Sequence, residues 1–77
     1  MLFGKVKFLG RSGIIYSEGK RNLSLLSEML AGDDFDLVIY LSRASHWEDG
    51  TPLSAEDKAR IQANIAEELK SSRIDWN

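Results

Sequence analysis

The chain has 77 residues, a net charge of −2 and no cysteine. A domain of this length has room for one sheet and one or two helices but little room for a deep substrate pocket, which argues against an enzyme. The lack of cysteine excludes a disulfide framework and a thiolate zinc site, and it favours a cytoplasmic protein.

The N-terminal segment, residues 2–9, predicts a half-buried strand, because apolar residues and lysines alternate in its second half. Val6 and Phe8 are expected to face the core. The lysines and the lack of a long apolar run indicate that this segment is neither a signal peptide nor a membrane span. A turn at residues 10–13 leads into a predicted β-hairpin, whose tip lies at residues 18–20.

The segment SLLSEMLAG, residues 24–32, fits two structures. Ser24 is able to cap a short helix that ends at Gly32, or the second hairpin strand continues. We favour a strand to about Leu26, followed by one or two helical turns. After a turn, FDLVIYL at residues 35–41 is the clearest strand, because β-branched and aromatic residues dominate it. Both of its faces are largely apolar, which predicts a central strand.

A long helix is predicted for residues 55–71. Ser54 and Asp57 have the spacing of a capping box, with aspartate in place of the usual glutamate. The residues expected to lie against the sheet are Ile61, Ile65 and Leu69, flanked by Ala59, Ala63 and Ala66. On the solvent side, Glu56 and Arg60 are spaced to form an ion pair one turn apart.

The last residues, 73–76, alternate again and predict a short final strand at the edge of the sheet. Together these elements predict a single α+β domain that spans residues 1–77. Its mostly antiparallel sheet has four to five strands, and one long C-terminal helix packs on one face. The strand order stays open, because hairpins fix only which neighbours pair.

Charge is distributed unevenly: residues 1–21 carry five basic residues and one acidic residue, whereas residues 22–77 carry five basic and eleven acidic ones. Such a surface can orient a charged partner, but a small solvated domain often shows the same pattern. Nucleic-acid binding would use the basic residues Lys5, Lys7, Arg11, Lys20 and Arg21, with Phe3 and Tyr16 for stacking. The overall acidity and the lack of a recognition motif argue against that function.

The stretch HWEDGTPLSAED contains the one histidine of the chain, His46, which is the natural candidate for a general acid or base. No nucleophile motif accompanies it, so a surface histidine is the simpler interpretation. Two clusters carry oxygen or imidazole ligands, but neither has the spacing of a calcium loop. They are His46, Glu48 and Asp49, and Asp33, Asp34 and Asp36. We expect no metal and no cofactor.

Trp47 has two interpretations of nearly equal weight. Its indole either covers the sheet at the start of the helix, or it is an exposed anchor for a partner, because tryptophan is enriched at binding hot spots. Trp76 poses the same choice. A protein-binding function makes the best use of these residues.

The second half of the chain resembles a family of small bacterial immunity proteins of polymorphic toxin systems, the family called immunity protein 74. The similar residues are Val38-Ile39-Tyr40, Trp47-Glu48-Asp49-Gly50, Pro52-Leu53-Ser54 and, on the helix, Ile61, Asn64 and Ile65. A short final strand follows them. The resemblance covers about half of the chain, and its motif is moderately specific.

This resemblance implies a protein that binds a cognate toxin and neutralises it by occlusion, with no enzymatic activity and no cofactor. It supplies no catalytic residues, and the matching positions are expected to maintain the fold. Acidic side chains would suit a basic toxin surface. The predicted partner-binding residues are Trp47, Glu48, Asp49, Asp33 and Asp34. The alternatives are a small homodimeric enzyme or ligand-binding protein that uses His46, and a weak nucleic-acid binder.

Overall fold

The computed structural model describes residues 4–10 and 12–77 and has an α+β architecture. Its elements are β1 (Lys5–Phe8), β2 (Gly13–Glu18), β3 (Arg21–Met29), β4 (Leu37–Ile39), a 3-10 helix (Leu41–Arg43), α1 (Ala55–Glu68) and β5 (Ile74–Trp76). The strands form one sheet in the order β1-β2-β3-β4-β5. The first three neighbouring pairs are antiparallel, and β4 and β5 are parallel. The predicted fold class is therefore confirmed.

The predicted hairpin forms from β2 and β3. Glu18 pairs with Arg21, so the connecting loop has two residues. Gly19, the first of them, has a φ of +57°, which glycine adopts without the steric cost that a side chain would add. In the preceding strand, Val6 packs against the core as expected, whereas Phe8 is 41% exposed at the edge of the sheet. The predicted first strand began at residue 2, and residues 2 and 3 lie outside the described residues.

The segment after Leu26 is a strand, so the predicted helical turns are wrong. β3 continues to Met29 because its second half pairs with β4, where Ser27 faces Ile39 and Met29 faces Leu37. Buried and exposed residues alternate along residues 22–28 of β3. This period of two is the burial pattern of a strand, and the pairing with β4 uses backbone groups that a helix would use for its own hydrogen bonds.

The central strand is confirmed but is shorter than predicted. β4 lies between β3 and β5, and its three residues are all buried. The chain leaves the sheet at Tyr40 and enters the short 3-10 helix. The final strand β5 forms the predicted edge, and it runs parallel to β4 because α1 connects the two.

The helix begins where the capping box predicts and ends three residues earlier than expected. Ser54 Oγ accepts a hydrogen bond from Asp57 N (3.0 Å), and Asp57 Oδ2 accepts one from Ser54 N (3.1 Å). Ile61 and Ile65 are buried, as predicted. The predicted alanine contacts are wrong, since Ala59, Ala63 and Ala66 are all exposed. No helix among the described residues is long and apolar enough to cross a membrane.

We expect Ser54→Ala to lower the free energy of unfolding by about 1 kcal/mol, because it removes the side-chain half of the capping box. Urea unfolding followed by circular dichroism measures this change. Ser71→Ala, an exposed serine beyond the end of α1, is the matched control and is expected to change little. Equal effects of the two substitutions would contradict a capping role for Ser54.

Candidate functional site

The loop between β3 and β4 carries two of the predicted acidic residues, Asp33 and Asp34, among exposed apolar side chains. Met29 is 53% exposed, Leu30 37% and Phe35 41%. Both aspartates are exposed, and neither carboxylate forms a salt bridge with another described residue. We call Met29, Leu30, Asp33, Asp34 and Phe35 the β3–β4 loop surface. It combines apolar anchors with negative charge, which is a composition suited to a protein partner.

This loop is held in place at both ends. Leu30 N donates to Asp36 O (2.9 Å), which closes the loop. Arg73, just before β5, donates from its backbone N to Asp36 Oδ2 (2.9 Å), and its guanidinium contacts the Asp33 carbonyl and the Asp36 carboxylate. These hydrogen bonds from Arg73, the backbone one foremost, hold the pKa of Asp36 below its ordinary value. Asp36 therefore fixes the loop.

The other predicted acidic pair, Glu48 and Asp49, forms a turn next to the start of β3. Glu48 N donates to Asn22 O (3.0 Å), and Ser24 Oγ donates to Glu48 Oε1 (2.8 Å). Asp49 Oδ1 accepts a hydrogen bond from Thr51 N (2.8 Å). Hydrogen bonding by Thr51 lowers the pKa of Asp49. The Glu48 carboxylate thus joins the turn to β3, and the Asp49 carboxylate stabilises the turn itself.

The two acidic clusters lie at opposite ends of the sheet. Glu48 contacts β3 at Asn22, whereas the β3–β4 loop begins after Met29, seven residues further along the same strand. At about 3.3 Å per residue, the two points are about 23 Å apart. The five predicted partner-binding residues therefore do not form one site.

Trp47 is fully buried, so its predicted role as an exposed anchor is wrong. Its ring lies 6.4 Å from the ring of Tyr16, centroid to centroid, and the Arg21 guanidinium lies 5.3 Å from its centroid. The indole Nε1 has no acceptor among the described residues, so packing holds this side chain. The structural interpretation of Trp47 is the correct one.

His46 borders a shallow groove of about 240 Å³ beside β3. The described lining residues are Ser24, Arg43, Ala44, Ser45, His46, Trp47 and Glu48. Ser45 Oγ lies 2.8 Å from His46 Nδ1, and no carboxylate of a described residue hydrogen-bonds to the imidazole. Among the described residues, no group of three or more histidine or acidic side chains is arranged to hold a metal ion.

A partly buried polar cluster, which the sequence did not predict, joins β2 to α1. The buried Tyr16 hydroxyl donates to Glu18 Oε2 (3.1 Å) and accepts from Asn64 Nδ2 (2.8 Å). Arg60 donates from Nη2 to Glu18 Oε1 (2.6 Å) and from Nε to Oε2 (3.1 Å). The predicted partner of Arg60 was Glu56, and this pair does not form; Arg60 instead contacts Glu18 and Asp57.

The electrostatics of this cluster follow from its geometry. The Arg60 guanidinium lowers the pKa of Glu18, while burial raises the pKa of Tyr16. At the start of β1, a Cβ on Gly4 would overlap the Tyr16 ring, so only glycine lets the chain lie this close. The tyrosine at a buried hairpin position was the one signal in the sequence, because Arg60 is 42 residues from Glu18 and Asn64 is 48 residues from Tyr16.

No family model, curated protein or solved structure matches the chain.

Proposed function

We propose that this protein binds a toxin of a bacterial polymorphic toxin system and neutralises it by occlusion, without catalysis of its own. The resemblance of the second half to immunity proteins supports the class of function. The β3–β4 loop surface is the observation that carries the proposal of where the toxin binds. In it, Met29, Leu30 and Phe35 expose apolar area beside two carboxylates without salt bridges to other described residues.

This combination gives both affinity and orientation. Burying Phe35 and its apolar neighbours against a partner removes apolar area from water, which is the main favourable term in protein association. Asp33 and Asp34 attract a basic surface and raise the rate of encounter. We therefore propose a toxin whose contact surface is basic, as the surface of a nucleic-acid-cleaving toxin must be to bind phosphates.

The backbone of the β3–β4 loop is also preorganised for binding. Arg73 and the Leu30–Asp36 hydrogen bond fix its backbone, so a partner has less conformational freedom to remove on association. Glu48 and Asp49, in contrast, are engaged within their own turn, and Trp47 is buried. We therefore place the toxin contact at the β3–β4 loop surface and not at the Glu48-Asp49 turn.

The test requires the cognate toxin, and we expect a gene that adjoins the gene of the present protein to encode it. We expect co-expression of the present protein to rescue cells from that toxin, and Asp33→Lys with Asp34→Lys to weaken binding at least about tenfold, since like charges across an interface repel. The matched control reverses two exposed glutamates of α1, Glu67→Lys with Glu68→Lys, which makes the same change in net charge. Equal weakening by both pairs, or no rescue by the wild-type chain, would contradict the proposal.

Phe35→Ser tests the apolar part of the same surface. Phe8→Ser is its control, because both phenylalanines are 41% exposed and only Phe35 lies in the loop. We expect the Phe35 variant alone to lose affinity for the toxin, as measured by calorimetric titration.

His46→Ala is expected to keep full protection of cells against the toxin, whereas a function that depends on the imidazole would be lost.

A further inference from the structure

The sheet has one open face. α1 packs on the face that carries Ile14, Tyr16, Leu23 and Leu25, through Ile61 and Ile65. The alternate strand positions point to the opposite face. Its residues include Lys5, Lys7, Ile15, Ser24, Leu26, Glu28 and Asp75, whereas Val38, which points the same way, is buried. We call these residues the open face.

Leu26 lies at the centre of the open face. It is 58% exposed, more than any other large hydrophobic residue described. Leu26 is directly opposite Gly13, which puts Ile15 at its diagonal neighbour position on β2. On the other side, Tyr40 N donates to Leu26 O (3.0 Å). The centre of this face is therefore apolar.

Opposite charges flank this apolar centre symmetrically. Lys7 of β1 pairs with Ile15 of β2, which pairs with Ser24 of β3. On the other side of β3, Asp75 of β5 pairs with Val38 of β4, which pairs with Glu28 of β3. With about 4.8 Å between strands and about 3.3 Å per residue, each lies about 12 Å from Leu26, in opposite directions. Neither forms a salt bridge with another described residue.

We infer that a second copy of this chain covers the open face, in a two-fold dimer whose axis passes near Leu26. An axis in the plane of the interface, perpendicular to the line from Lys7 to Asp75, places Lys7 of each protomer over Asp75 of its partner. The two Leu26 side chains then meet at the axis. Such an isologous contact needs a surface complementary to itself, and the charge pattern of the open face meets that condition.

The area of the face sets the expected strength. Nine residues of β3 span about 30 Å, and five strands span about 24 Å, so the face offers at most about 700 Å². A standard interface buries about 800 Å² on each partner. Because the face offers no more than this standard area, we expect a weak dimer, which analytical ultracentrifugation of the full chain up to about 1 mM measures.

We expect Leu26→Asp to abolish dimerisation, because two buried carboxylates would meet at the axis. Phe8→Asp, at an exposed position on the opposite face of the sheet, is the matched control and is expected to leave the dimer intact. Circular dichroism verifies that both variants are folded. A wild-type chain that stays monomeric up to 1 mM, or equal loss of association in both variants, overturns the inference.

Charge exchange tests the two-fold geometry itself. Lys7→Asp and Asp75→Lys should each weaken the dimer at least about fivefold, since each creates two repulsive pairs. A mixture of the two single variants should associate as well as the wild type, because their heterodimer contains one exchanged and one native attractive pair. Failure of the mixture to recover association overturns this arrangement. The toxin assay is independent of these results, because the residues changed here, Lys7, Leu26 and Asp75, are not part of the β3–β4 loop surface.

Discussion

Replacing Trp47 by alanine is expected to lower the free energy of unfolding by about 3–5 kcal/mol. The indole is fully buried in the core cluster, where it contacts the ring of Tyr16 and the guanidinium of Arg21. A cavity of that size cannot be refilled in a core this small. Since a domain of this length has a total stability of roughly 4–12 kcal/mol, the variant loses a large part of it.

Urea unfolding followed by far-ultraviolet circular dichroism measures this loss without relying on tryptophan fluorescence. Trp76→Ala is the control, because Trp76 is only half-buried on the edge strand β5 and should cost less than half as much. A Trp47→Ala protein that keeps its stability but no longer binds the toxin would restore the interpretation of Trp47 as a binding anchor.

The features that the sequence predicted correctly depend on local signals. Ser54 and Asp57 are three residues apart, so the capping box and the start of α1 are visible without knowledge of the rest of the fold. Gly19 marks the hairpin tip in the same way. Alternation along Leu23 and Leu25 was sufficient to identify β3, although not where it ends.

The errors arose where a distant segment decides the structure. Residues after Leu26 have apolar spacing that fits a helix as well as a strand, and pairing with β4 selects the strand. Arg60 has an acidic residue one turn away, Glu56, but a carboxylate on β2 offers two hydrogen bonds in a bidentate arrangement. Neither outcome can be calculated from neighbouring residues alone.

The candidate site was only half visible for the same reason. Asp33 and Asp34 were selected from charge, and they lie on the proposed surface. Met29 and Leu30 were not identified, because an apolar pattern does not reveal which residues the fold leaves uncovered. The distance of about 23 Å between the two acidic clusters follows from the length of β3, which exceeded the prediction.

Glu18→Gln is expected to remove a pH-dependent part of the stability. Arg60 lowers the pKa of Glu18 from its ordinary value of 4.5, so the folded state favours the carboxylate. The sign follows from linkage: this contribution is fully present above pH 4.5 and is lost as the pH falls through the lowered pKa of the folded state. At neutral pH the variant should lose about 1–2 kcal/mol, as for a partly exposed charged hydrogen bond.

Below the lowered pKa, Glu18 is protonated in the wild type and resembles glutamine, so the two unfolding curves should converge. Urea titrations at several pH values between about 2 and 7 measure the difference directly. Asp36→Asn is the comparison, because its carboxylate is also stabilised by an arginine, Arg73, but lies at the exposed loop and not between β2 and α1. A Glu18→Gln deficit that stays constant down to the lowest pH would show that shape at this position matters more than charge. In that case the link between β2 and α1 would depend on the neutral hydrogen bonds of Tyr16 and Asn64.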